Sequence, residues 1–100
     1  MATRDYDEGL FEDLQDLDEA AAYLTACCED SEAVFLQALR KVAEAHGGVA
    51  RLASKAKLNR ESLYRMLSEK GNPRLSSLSA VLGSIGLRLQ IAPSKGRNAA

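Results

Sequence analysis

Hydrophobic positions in this chain recur at helical spacing along most of its length. Leu17, Ala20, Ala21, Leu24, Cys27 and Cys28 form one stripe, opened by Asp16 or Asp18 as N-cap and broken at Glu29-Asp30-Ser31. Asp30 or Ser31 caps the next helix, where Phe35, Leu36, Leu39, Val42 and Ala43 fall at i, i+1, i+4, i+7 and i+8 until Gly47 stops it. Two shorter helices are expected at about 49–56 and 60–69, on either side of the turn Lys57-Leu58-Asn59. After the turn residues Gly71-Asn72-Pro73, a fifth helix carries Leu75, Leu78, Val81, Leu82 and Ile85 and ends at Gly86. The period then changes to two. Leu87, Leu89 and Ile91 alternate with Arg88 and Gln90, which predicts a short half-buried strand stopped by Pro93.

Residues 1–16 have no cap and no sustained period. They read as an acidic, flexible N-terminal arm, although Leu10, Phe11, Leu14 and Leu17 make a short stripe able to fold against a partner. The expected organisation is therefore an arm at 1–16, one domain of five helices and a strand at 17–92, and a disordered tail at 93–100.

Charge divides the chain differently. Residues 1–36 hold eleven Asp and Glu against Arg4 alone, a net of −10, whereas residues 37–100 hold twelve Lys and Arg against three Glu, a net of +9. A formal net charge of −1 describes neither part. The acidic part suits a basic partner and the basic part suits an anionic one. The boundary falls inside the second stripe, so both charge zones share one fold.

Several function classes are excluded at this stage. No apolar run approaches the roughly 18–20 residues needed to span a bilayer, and the first residues lack a signal-peptide core, so a cytoplasmic protein without membrane contact is expected. Cys27 and Cys28 are adjacent, hence about 100° apart on a helix, and read as small apolar residues in a reducing compartment. His46, the single histidine, precedes Gly47-Gly48 and reads as a last-turn residue facing a helix C-terminal dipole. No catalytic residue, metal site or cofactor is expected, because the chain has no clustered ligand set, phosphate-cradling glycine loop or nucleophile–base pair.

Residues 49–68 carry helix-turn-helix spacing. Leu52 and Ala56 face inward from the first helix, small Ala53 allows a close crossing, Leu58 plugs the turn, and Leu63, Met66 and Leu67 supply the inner face of the second helix. Asn59 caps that helix. Arg60, Glu61 and Arg65 then share one outward face with Ser62 beside them. Arginine can pair bidentately with guanine, and glutamate can accept from cytosine. Arg51, Lys55, Lys70, Asn72 and Arg74 flank this face and suit phosphates. Such charges can equally be the solvated side of a helix bundle; the coincidence of Ala53, Leu58, the Asn59 cap and the basic half favours DNA. Lys57 stands where a left-handed turn would prefer glycine, at a cost of about 1 kcal/mol. A lone strand needs a partner, and Leu87, Leu89 and Ile91 could pair with a second copy, making a homodimer that reads two half-sites. Addition to another protein's sheet and packing on its own helices remain open.

Taken together, these blocks resemble a known family. Leu17-Asp-Glu-Ala-Ala-Ala-Tyr-Leu24, Glu32-Ala-Val-Phe-Leu-Gln-Ala-Leu39, Val42-Ala-Glu-Ala-His-Gly47, Asn59 to Ser68, Gly71-Asn-Pro73 and Leu82 to Leu89 are similar, in order and spacing, to the probable addiction-module antidote proteins. The resemblance covers about residues 17–92, with departures at Lys57 and Gly48-Val49. It implies an all-α, Cro/C1 (lambda repressor-like) helix-turn-helix domain with a short C-terminal strand, acting as a type II antitoxin. It further implies binding to a RelE/ParE-like toxin and to the operator DNA of its own operon. In that setting Phe11, Leu14, Leu17, Tyr23 and Leu24 are candidate apolar anchors for the toxin. A free-standing regulator with the same helix-turn-helix and no toxin partner is the alternative.

Overall fold

The computed structural model describes residues 2–68 and 70–94, with side chains from Glu8 onward. Residues 95–100, most of the expected tail, lie outside the described residues, as does Glu69 at the expected end of the fourth helix. Six helices follow in order: α1 (Ala2–Asp13), α2 (Leu17–Asp30), α3 (Glu32–Ala45), α4 (Val49–Ala56), α5 (Arg60–Met66) and α6 (Leu75–Ile85). The helical class is as expected. Two elements differ, one at each end.

At the N-terminus a helix stands where a flexible arm was expected. α1 packs on α3, and Leu14 just beyond it is 2% exposed in the core. His46, which caps α3, donates from Nε2 to the Leu14 carbonyl at 2.7 Å. The short stripe at Leu10 and Leu14 does fold against a partner, but the partner is the chain's own third helix. At the C-terminus no strand forms among the described residues; residues 87–94 carry no regular secondary structure. A strand is stabilised by a neighbour's main chain, and here no second strand is present to supply one.

α3 is the central element, in contact with α1, α2 and α4, and α4 in turn meets α5 and α6. Leu36, Ala38, Leu39, Val42, Ala43 and Ala45 of α3 are all buried. They join Leu24 of α2, Leu52 of α4, Leu63 of α5 and Val81 of α6; of these the fully buried Leu and Val side chains contribute about 1.5–3 kcal/mol each on leaving water.

Three caps expected from the sequence are present. Asp16 Oδ1 accepts from the Asp18 and Glu19 N–H groups at 2.8 and 3.1 Å, Ser31 Oγ from Val34 N–H at 3.1 Å, and Asn59 Oδ1 from Ser62 N–H at 3.0 Å. Three helices also end alike. The N–H groups of Gly48, Leu58 and Leu87 each bond five residues back, to the carbonyls of Ala43, Ala53 and Leu82. That closure needs a residue with positive φ just before each donor. Gly47 (113°) and Gly86 (111°) supply two of them, and Lys57 supplies the third at φ 60° and ψ 41°.

The strain at Lys57 can be tested. Lysine in the left-handed region costs about 1–2 kcal/mol, while glycine adds about 0.5–1 kcal/mol of unfolded-state entropy. Lys57→Gly is therefore expected to stabilise the fold by about 0.5 kcal/mol and raise the thermal midpoint by about 2–4 °C. Thermal denaturation followed by circular dichroism measures it.

A candidate nucleic-acid interface on the fourth and fifth helices

The α4–turn–α5 unit is built by burying one face of each helix. Val49, Leu52 and Ala53 of α4 and Leu63 and Met66 of α5 are buried, as is Leu67 at the end of α5. Ala53 is 1% exposed, so the close crossing leaves no room for a larger side chain there. Leu58 is half-buried and packs against the core from the turn.

With that face inward, the polar residues of α5 point out. Arg60, Glu61, Ser62 and Arg65 are all exposed, and the side chain of Asn59 is engaged as the helix cap. Arg51 and Lys55 are exposed on α4, and Arg51 runs its aliphatic stem over Gly47, where a Cβ would meet its Cδ at 2.8 Å. Lys70, Asn72 and Arg74 are exposed in the connection to α6, and Arg74 is the N-cap residue of that helix. This connection turns tightly at Gly71, whose N–H bonds the Ser68 carbonyl at 2.8 Å. A Cβ on Gly71 would fall on the Met66 carbonyl oxygen, so only glycine fits. Every cation expected near the reading face is therefore exposed and carried by α4, α5 or the loop that follows. Between residues 49 and 66 there are five Lys and Arg against Glu61 alone.

One member of this surface was not evident in the sequence. The Arg40 guanidinium of α3 lies over the Tyr64 ring of α5, 5.5 Å from its centroid. The two residues are 24 positions apart and belong to different helices, so no local pattern links them. Their contact places a further cation against the exposed side of α5.

The expected toxin anchors do not form one surface. Leu14 and Leu24 are buried and belong to the core, so neither is presented on the surface of the single chain. Phe11 is 44% exposed on α1 and Leu17 41% exposed at the start of α2, with Leu17 also leaning on Gly86. Tyr23 is half-buried. A stripe of apolar residues shows that a face is covered; it does not show by what. The dimerisation set divides likewise: Leu87 packs on the chain's own core, while Leu89 and Ile91 are exposed.

Cys27 is half-buried and Cys28 exposed, both as free thiols. Among the described residues no group of three or more His, Cys, Asp or Glu is placed to hold a metal ion. Among the same residues, no helix is long and apolar enough to cross a membrane.

Comparison with known proteins now adds to this geometry. Residues 4–93 match the family described as probable addiction module antidote protein. An uncharacterized protein of Haemophilus influenzae is 31% identical over 93 residues, which cover 92% of this chain and 93% of the relative. No solved structure matches the chain. The family is one of antidotes and not of enzymes. Since the match runs from within α1 through the segment after α6, the chain belongs to the probable addiction module antidote family, and its role is that of an antitoxin.

Proposed function

We propose that this antitoxin neutralises a small basic toxin of the RelE/ParE-like class and represses its own operon through a Cro/C1-type helix-turn-helix. The observation that carries the DNA reading is the two-sidedness of α5. Its inner side chains are buried in the core, while Arg60, Glu61, Ser62 and Arg65 are exposed behind an Asn59 cap. A helix held this way can enter the major groove with its charged side against base edges. Arg51, Lys55, Lys70, Asn72 and Arg74 then serve as phosphate contacts, which add affinity and salt dependence with little sequence information. Two copies reading two half-sites would multiply the effect of each base contact. Such a protein acts in the cytoplasm, where its operator is.

The toxin reading rests on charge and on the anchors that remain exposed. The −10 segment contains α1 and α2, and among the described residues Phe11 and Leu17 are its exposed large apolar side chains, available for a partner to cover. Both helices pack on α3, whereas α5 packs chiefly on α4. A toxin on the acidic helices can thus be held while α5 reads DNA.

The test is co-expression with the product of a small basic open reading frame, if one adjoins this gene. Relief of its growth arrest, together with a mobility shift of the DNA upstream of the pair, is the expected result. A shift without any toxin complex would instead identify a free-standing regulator. Neutralisation without a shift would remove the repressor role.

A further inference from the structure

The change from acidic to basic within α3 falls where that helix meets α5. Residues 1–36 hold Arg4 as their single cation, and the next two, Arg40 and Lys41, are consecutive on α3. Both are exposed. The Arg40 guanidinium lies over the Tyr64 ring, 5.5 Å from its centroid. Arg40 and Lys41 also border one cleft with Leu67 and Ser68, at the end of α5. Glu44 is on that cleft too, but among the described residues it forms no ion pair with either cation. Tyr64 is 41% exposed, with Arg60 and Glu61 one turn before it on the outward side of α5 and Ser68 one turn after. The first cations of the basic part are therefore joined to the exposed side of α5.

We infer that Arg40 is a contact to the phosphate backbone of duplex DNA, held in position by the Tyr64 ring, so that the DNA surface extends from α5 onto α3. This rests on the proposed DNA reading and adds to it a contact from outside the two helices of the helix-turn-helix.

Three observations support the assignment. Stacking occupies the flat face of a guanidinium and leaves the N–H groups of its edge to donate. Among the described residues no acceptor engages that edge, and its fork geometry matches the oxygens of a phosphate. The ring also restricts a long side chain that would otherwise lose its freedom only on binding, which lowers the entropic cost of the contact. Finally, phosphates flank the groove that a reading helix enters, and a cation beside the outward side of α5 is placed to meet one. The pair is not part of the core. α3 packs on α1, α2 and α4, and both Arg40 and Tyr64 are exposed. Tyr64 is thus a positioning residue, acting through Arg40.

The experiment is a titration of the full-length protein against the DNA upstream of its gene and an unrelated duplex, each at several salt concentrations. Arg40→Ala should weaken both duplexes by about tenfold and lower the salt slope by about one for each protomer bound. Its thermal midpoint should move by no more than about 3 °C, which verifies that the fold is kept. Arg40→Lys retains the charge and should restore the slope. Tyr64→Phe keeps the ring and should bind as wild type does. Tyr64→Leu should weaken both duplexes by about threefold, and should add nothing when Arg40 is already alanine. A slope unchanged in Arg40→Ala, or not restored by Arg40→Lys, would overturn the phosphate contact. Additive losses in the double variant, or a loss in Tyr64→Phe equal to that in Tyr64→Leu, would overturn the positioning role of the ring. A wild type that binds neither duplex would overturn the DNA reading itself, whereas a binding wild type matched by Arg40→Ala would overturn this contact alone.

Discussion

Replacing Arg65 by alanine should remove specific operator binding while leaving toxin neutralisation intact. Arg65 is exposed on α5, beside Arg60 and Glu61. Its loss touches no core contact, because the buried side chains of α5 are Leu63 and Met66. A bidentate arginine–guanine pair discriminates against the wrong base by about 1–3 kcal/mol, and a two-fold operator loses that pair twice. The expected effect is a loss of about 100-fold or more in operator affinity at fixed salt, with unrelated DNA bound nearly as before. Lys55→Ala supplies the contrast. A phosphate contact should weaken all sequences alike and lower the salt slope by about one. Fluorescence anisotropy with operator and unrelated fragments at several salt concentrations separates the two behaviours. Unchanged operator affinity in Arg65→Ala would show that α5 is not the reading helix.

The second large effect is expected at Leu14, and it is on stability. Leu14 is 2% exposed, sits in the core between α1 and α2, and has its carbonyl held by His46. Truncation to alanine should cost about 2–5 kcal/mol and lower the thermal midpoint by at least about 10 °C. Phe11, three residues earlier and largely exposed, should behave in the opposite way. Phe11→Ala is expected to change stability by no more than about 0.5 kcal/mol and to weaken toxin binding about tenfold. Calorimetric melting and toxin titration of both variants decide the matter. If Leu14→Ala melted like wild type and lost only toxin affinity, Leu14 would be a contact residue after all.

These two positions show how far the sequence could be read. The caps Asp16, Ser31 and Asn59 and the stops Gly47 and Gly86 are local signals, and each stands where its chemistry requires. The helices they delimit, from Leu17 to Ile85, could therefore be placed closely. α1 could not, because nothing local stabilises it. Its stripe is short, and its support comes from α3 and from a hydrogen bond to His46, 32 residues away from Leu14. His46 itself was expected to face only its own helix end.

The same limit applies to the candidate sites. Arg60, Glu61, Ser62 and Arg65 could be assigned outward because the inward residues of α5 were identifiable from Leu63, Met66 and Leu67. The burial of Leu14 and Leu24 could not be read from the sequence, because their stripe is the same whether the chain's own helices or a toxin covers it. The strand at Leu87–Ile91 was over-read for a related reason. Its alternation records a preference for pairing, and pairing needs a second segment that one chain does not contain. Arg40 and Tyr64 were missed because only the packing of α3 and α5 brings them together.

If one fold holds a toxin on its acidic helices while α5 reads the operator, both ligands must be carried at once. The most direct measurement is a titration of a labelled upstream DNA fragment with the purified antitoxin–toxin complex at physiological salt. The complex is expected to bind that fragment about 10³-fold or more tightly than unrelated DNA, with toxin retained in the bound species. Equal affinity for both fragments, or release of toxin on binding DNA, would show that the two roles do not coexist on this fold.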